Sequence, residues 1–221
     1  MNLSVLGTKI HSSGPLVSPL NVKDFGAVGD GITDDTTAIQ DALDNLSDNS
    51  TLDFGDSHYV FSASLGTSLD SKTNVTLRAS GATITQPLLT SDVLGGSTRR
   101  TFDILDCTNV VVKGFNFIGR HLDYATGEDN SKQVAVLFTG CTGGGVFNCT
   151  AEKHLVSYYI NTGCSELKVS DCDASTCRTG VEVTGSDDID VKRCNVRDAR
   201  YYPDGGDSEL KTSGYSFLAN L

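Results

Sequence analysis

The chain has 221 residues, enough for one domain or slightly more, and a formal net charge of −11. That charge weighs against nucleic acid and anionic membranes as direct partners, and against a bare polyanionic sugar unless cations bridge it. No apolar stretch is long enough to span a membrane as a helix, and Met1–Pro15 has neither the basic nor the apolar region of a cleaved secretory leader.

Residues 1–20 read as an attachment or linker segment. From Asn21 a strand and a Gly-rich turn are expected, because Phe25-Gly-Ala-Val-Gly-Asp-Gly31 alternates turn formers with apolar residues. Thr33 or Asp34 is the expected N-cap of a helix, with Asp34 and Asp35 complementing the positive end of its dipole. Ala38, Ile39, Ala42, Leu43 and Leu46 form its apolar stripe. Asp30, Asp34 and Asp35 are read as turn and cap residues rather than as a metal or catalytic cluster.

Beyond residue 50 one pattern recurs. Segments starting at Cys107, Cys141, Cys164 and Ser186 each carry an apolar pair two residues apart, a polar turn, and a second such pair. Their starts are 34, 23 and 22 residues apart. A third pair follows each: Val136/Phe138, Tyr158/Ile160, Val181/Val183 and Tyr215/Phe217. Period two means strand, and a fixed period of about 20–50 residues means stacked units. The predicted fold is all-β: a parallel β-helix with three strands per coil over residues 51–221, and an N-terminal α-helix within 21–50 covering the open end. The 23 glycines suit its many turns.

The seven cysteines follow the same register. Cys107, Cys141 and Cys164 share one coil position, and Cys149, Cys172 and Cys194 another. Cys177 stands alone in the slot that His154 fills one coil earlier, where a surface or half-buried turn histidine is expected. Cysteine recurring at a fixed position reads as a small, reduced core residue, not a disulfide framework. No metal site and no cofactor is indicated. Four Asn-x-Ser/Thr triplets, at Asn45, Asn49, Asn74 and Asn148, carry no weight as short motifs.

Asp24-Phe-Gly-Ala-Val-Gly-Asp-Gly-Ile-Thr-Asp-Asp-Thr-Thr-Ala-Ile-Gln40 resembles the N-terminal signature of the pectate-lyase-like superfamily of right-handed β-helix proteins. Leu52-Asp-Phe-Gly-Asp-Ser-His-Tyr-Val60 resembles its following strand and turn, with Gly55 and Ser57 in place of the usual Pro and Gly. Val75–Ile84 resembles the first full coil. The resemblance implies the fold over about residues 21–218 and leaves function open among binders, lyases and hydrolases. It includes phage tailspikes, which implies a homotrimer.

Two coils carry long insertions at one turn, Ile118–Lys132 and Arg197–Thr212. They are expected to wall a cleft floored by the strands around Tyr159 and Glu182. Tyr124, Tyr159, Tyr201 and Tyr202 suit sugar stacking, and Arg120, Arg197 and Arg200 suit carboxylates. Glu182, Asp204, Asp207, Glu128 and Asp129 are the candidate acids, with Asp123 and Glu209 nearby. The same acids also fit a merely solvated loop, and no spacing identifies a catalytic pair. Asp187-Asp188 looks like the paired acids of polygalacturonases, yet sits at a turn position, and the other elements of those enzymes are absent.

Ser213–Phe217 aligns with Thr179–Val183, placing Ser216 beside Glu182 and a new coil at Leu221. This leads to the expectation of a longer native chain. Three functions fit. The first is a tailspike-like virion protein made in the host cytoplasm, joined to other tail proteins through residues 1–20 and binding host surface polysaccharide, with or without depolymerase activity. The second is a stand-alone polysaccharide lyase or glycoside hydrolase. The third is a non-catalytic virion component.

Overall fold

The recurring apolar pairs need partners on both edges, and stacked coils supply them. The computed structural model describes residues 19–62, 66–87, 99–119 and 133–197, and the backbone of 217–220. Its strands form three sheets in which every paired neighbour is parallel. The first sheet runs Leu20–Asn21, Thr51–Asp53, Thr76–Arg78, Thr108–Lys113, Thr142–Phe147, Lys168–Ser170 and Asp190–Lys192. The second runs from Asp30–Asp34 through Asn116–Ile118 and Thr150–Glu152 to Asn195–Arg197. The third comprises Gly66–Asp70, Arg99–Leu105, Gln133–Thr139, Val156–Ile160, Thr179–Thr184 and Phe217–Asn220. The chain visits the three sheets in turn, which is the expected parallel β-helix.

The predicted pairs stack in register. Val112, Val146, Val169 and Val191 face one another across the first sheet. Phe117, Ala151, Ala174 and Val196 do so in the second. Val136, Tyr158 and Val181 do so in the third. All seven cysteines are free and buried. One apolar cluster runs from Val22 to Cys194. Its densest part is aromatic: Phe102 meets Phe54, Phe61, Phe115 and Phe117 edge to face, with ring centroids 5.7, 6.1, 5.4 and 5.8 Å apart.

The structure corrects four expectations. Val22–Phe25 is a 3-10 helix, not a strand: Asn21 accepts from Lys23 N, Asp24 reaches back to Asn21 N, and Gly26 ends the turn at φ 95°. Asp30–Asp34, read as turn, is a strand. The last strand is displaced by two residues, pairing Phe217 with Val181 and Leu218 with Glu182, so Ser216 is not beside Glu182. Because strand faces alternate with period two, such a slip leaves the apolar pattern intact. His154 is fully buried, not at the surface.

The α-helix spans Thr36–Asp44 and buries Ile39, Ala42 and Leu43 in the same cluster as Leu52 and Phe54. Its boundary residue is Asp35, but the side-chain cap comes from Asp34, whose Oδ1 accepts from Thr36 N at 3.0 Å. Asp35 instead turns back to accept from Val28 N and Gly29 N. Asp30 accepts from Ile32 N and Thr33 N. Asp34 thus caps the helix and Asp35 holds the preceding turn, as the sequence reading preferred, while Asp30 braces the strand it opens.

Candidate functional site

The outward positions of the third sheet carry the site. In register they run Ser68, Asp103, Leu137, Tyr159 and Glu182. Tyr159 and Glu182 are adjacent, as the coil spacing predicted, because each is flanked by two inward residues: Tyr158 and Ile160, Val181 and Val183. They share a depression of about 410 Å³ with Arg100, Arg178, Asn161 and Leu137. Its apolar floor is a small cluster of Val134, Leu137, Leu155 and Val156, separate from the main core, with Tyr159 packed on it. This pairing of apolar floor, aromatic ring and a few charged or amide groups is typical of ligand sites.

Sequence reasoning missed Arg100, Arg178, Asn161 and Asp103. Arg100 and Asp103 belong to a strand that was not identified, and they form an ion pair at 2.5 Å. Burial pushes the Asp103 carboxyl above its ordinary range, although the Arg100 charge and hydrogen bond oppose this. Arg178 lies one coil beyond Leu155, whose carbonyl accepts from Arg178 N. Adding the coil length to each position would have aligned these residues.

Both predicted insertions leave from one register position. Ile118 and Arg197 end strands in the second sheet, with Glu152 and Ser175 in the same row between them. Three strand spacings separate them, roughly 14 Å. Pro87, after the second sheet, and Arg99, opening a strand of the third, flank the same corner; the residues between them, not foreseen as an insertion, lie outside the described residues. Arg120, Tyr124, Glu128, Asp129, Arg200, Tyr201, Tyr202, Asp204 and Asp207 all lie outside the described residues, as do Asp123 and Glu209. Arg197 lies 3.4 Å from Asp173.

At the base of that corner is a buried polar row. Gln86, Arg99, Gln133 and His154 are each 0% exposed. Gln133 pairs in register with Arg99, and Arg99 donates to the Pro87 carbonyl at 3.0 Å. Any side chain at Gly119 would meet the Lys153 carbonyl, Gln133 and His154, so glycine is required there.

A second depression, of about 710 Å³, lies on the first sheet and is lined by Asn109, Gly143, Gly144, Phe147, Glu166 and Asp188 among others. It is larger, but its residues have structural duties. Asn109, Gly143, Glu166 and Asp188 are successive left-handed turn residues, with φ of 53°, 68°, 57° and 53°. Asp187 aligns with Ser165 as its turn partner. The Asp187-Asp188 pair is therefore a turn, and the site on the third sheet is preferred. Among the described residues no group of three or more His, Cys, Asp or Glu side chains converges on a metal position.

Comparison with known proteins supports this architecture. Residues 20–118 match the rhamnogalacturonase A/epimerase, pectate-lyase-like family model. No curated protein matches the sequence. A Parabacteroides merdae protein provisionally assigned as a glycosyl hydrolase superposes with a TM-score of 0.58 at 15% identity, over 83% of this chain and 97% of that one. A family 28 exopolygalacturonase from Yersinia enterocolitica gives 0.58 at 14% identity, over 80% of this chain and 43% of its own. A protein of Geobacillus virus E2 gives 0.52 at 13% identity, over 81% of this chain and 49% of its own. The chain thus spans less than half the length of the enzyme and the viral protein. Residues 20–118 thus carry a pectate-lyase-like signature, and the described residues share the parallel β-helix fold of these neighbours.

Proposed function

We propose that this chain is a tailspike-like virion protein that binds host surface polysaccharide on the outer face of its third sheet. The observation that carries the reading is the depression in which Tyr159, Glu182, Arg178, Arg100 and Asn161 meet over an apolar floor. A sugar ring presents one apolar face and a rim of hydroxyls. Tyr159 supplies a ring to stack on, and the charged and amide side chains supply hydrogen bonds to the rim. Parallel strands hold these groups at fixed spacing, so little ordering entropy is lost on binding. The fold shared with a virus protein is compatible with a virion role, as part of a homotrimer joined to other tail proteins through residues 1–20.

Binding is favoured over hydrolysis by one measurement of scale. The outward acids Asp103 and Glu182 are three strands apart in one row, about 14 Å between backbones. Glycosidase carboxylates stand about 5–9.5 Å apart. Asp103 is also committed to Arg100. A depolymerase reading therefore rests on Glu128, Asp129, Asp204 or Asp207.

Capsular and lipopolysaccharide preparations from candidate hosts test the reading by calorimetry. Tyr159→Ala is expected to weaken binding by at least tenfold, a loss of about 1.4 kcal/mol. Glu182→Gln is expected to weaken it less. Unchanged affinity in Tyr159→Ala, with the fold intact by circular dichroism, would overturn the site.

A further inference from the structure

We infer that the depression on the first sheet is a second saccharide site, one that takes an uncharged pyranose residue. It lies on a different face from Tyr159 and Glu182 and does not rest on the reading of that site. The depression exists because one coil lacks side chains where its neighbours carry them. Gly143 stands between Asn109 and Glu166 in the row of left-handed turn residues. Gly145 stands between Val111 and Lys168 in the outward row of the sheet. The flanking strands are two spacings apart, about 10 Å. Between them is a notch one coil wide, lined by glycine backbone and by the half-buried ring of Phe147.

Two of the three glycines are forced and one is not. A Cβ at Gly144 would collide with the Val110 carbonyl, and one at Gly145 with the Lys168 carbonyl, so close backbone approach excludes side chains there. At Gly143 the atom nearest to an added Cβ would be 3.8 Å away, in Asn109. The φ of 68° at Gly143 is in the region that Asn49, Asn74 and Asn109 adopt in earlier coils. Packing therefore permits an asparagine at position 143, and the chain carries none.

The missing side chain leaves a hydrogen-bond acceptor open. Asn74 Nδ2 donates to Asn49 Oδ1 and Asn109 Nδ2 to Asn74 Oδ1, both at 2.8 Å. The next donor in this ladder would come from position 143, so Asn109 Oδ1 meets the notch with no donor among the described residues. Beyond the notch, the carboxylates of Glu166 and Asp188 make no ion pair and no hydrogen bond among the described residues. Three open acceptors call for a ligand rich in donors, and sugar hydroxyls are such donors. The Phe147 ring offers the apolar surface that a pyranose face covers. Two carboxylates, and a net charge of −11 over the chain, repel a uronate and so limit the ligand to uncharged sugars. The Lys168 ammonium on the same rim disfavours a simple cation. The volume of about 710 Å³ falls in the usual range for small ligands, about 300–1,000 Å³.

The test is amide-shift NMR of the full chain, titrated with the methyl glycosides of glucose, galactose, mannose and N-acetylglucosamine, and with methyl galacturonide as the charged control. At least one neutral glycoside is expected to shift the Gly144 and Gly145 amides saturably, and the galacturonide is not. Gly143→Asn extends the amide ladder into the notch, and is expected to weaken binding roughly tenfold or more. Phe147→Ala is expected to weaken it similarly, and carries the test should Gly143→Asn misfold. Shifts at the Tyr159 and Glu182 amides report the third-sheet site separately, so failure of either site is visible on its own. The assignment is overturned if no neutral glycoside shifts the glycine amides, if the galacturonide shifts them equally, or if affinity is unchanged in a folded variant.

Discussion

At the residue scale the recurring problem is the corner before each strand of the first sheet, which needs a left-handed residue in every coil. Asn49, Asn74 and Asn109 meet it with φ of 60°, 55° and 53°. Asparagine tolerates this region because its short amide bonds locally. Here the amides also bond between coils: Asn74 Nδ2 donates to Asn49 Oδ1 and Asn109 Nδ2 to Asn74 Oδ1, both at 2.8 Å. The triplets of Asn49 and Asn74 are thus explained by turn geometry, and Asn148, at another turn, holds the same conformation at φ 49°. Further along, Glu166 holds the same conformation at φ 57° without the amide's advantage. Opposite signs follow. Asn74→Ala is expected to cost about 1–2 kcal/mol through the left-handed penalty and the lost ladder bonds. Glu166→Asn is expected to stabilise by about 0.5–1 kcal/mol, as relief of the same penalty. Urea midpoints at constant slope measure both, and a shared sign would refute the common cause.

The exposed aspartates set a second residue-level expectation. Hydrogen bonds from Arg193 and Ser170 hold the Asp171 carboxyl at about 2, against an ordinary 3.8. Hydrogen bonds from Thr33 and Ile32 lower Asp30. Burial would raise Asp34, but hydrogen bonds from Ser62 and Thr36 outweigh it and lower the group. A folded value below the unfolded one means stability that is present above the unfolded value and lost as pH falls through the folded value. The melting temperature should therefore fall between about pH 4 and pH 2, and fall less steeply in Asp171→Asn. Equal slopes in the two proteins would show that Asp171 does not contribute.

At the element scale, what was legible in the sequence was whatever repeats. Val136/Phe138, Tyr158/Ile160 and Val181/Val183 could be stacked from spacing alone, because a coil of 22 or 23 residues returns each position above its predecessor. Tyr159 and Glu182 were placed by the same logic. The strand Arg99–Leu105 was missed because Arg99, Thr101 and Asp103 are buried on its other face, so the usual contrast between apolar and polar positions is blurred. Arg100 and Asp103 were lost with it. The two-residue slip at Phe217–Asn220 was invisible for the reason that makes strands readable at all, since alternation is unchanged by it. Cysteine was read as a small apolar residue. That accounts for its burial but not for the N–H groups aimed at the sulfurs of Cys107, Cys141 and Cys164, which only the stacking of backbones reveals.

At the scale of the whole molecule, each coil contacts only its neighbours, so stability approximates a sum of coil and interface terms. The aromatic cluster concentrates that stability in the early coils: Phe54, Phe61, Phe102, Phe115 and Phe117 come from coils contiguous in the stack and are buried. The site lies further along, on strands Val156–Ile160 and Thr179–Thr184. Those strands bury smaller side chains inward, Ile160, Val181 and Val183 alongside Tyr158. Truncating the cluster's centre should therefore loosen one end of the molecule more than the other. Phe102→Ala leaves a cavity among four rings and is expected to cost about 3–5 kcal/mol in the coils that surround it. In a one-dimensional stack this loss decays with coil number instead of spreading through a single core. Amide hydrogen exchange should show protection reduced most in Thr51–Asp53, Gly66–Asp70 and Asn116–Ile118, less in Val156–Ile160, and least in Asp190–Lys192. The polysaccharide binding proposed at Tyr159 should then survive at temperatures where the early coils already exchange. A uniform drop in protection along the chain would instead mean that the coils unfold as one cooperative unit, and the site would be lost together with the aromatic cluster.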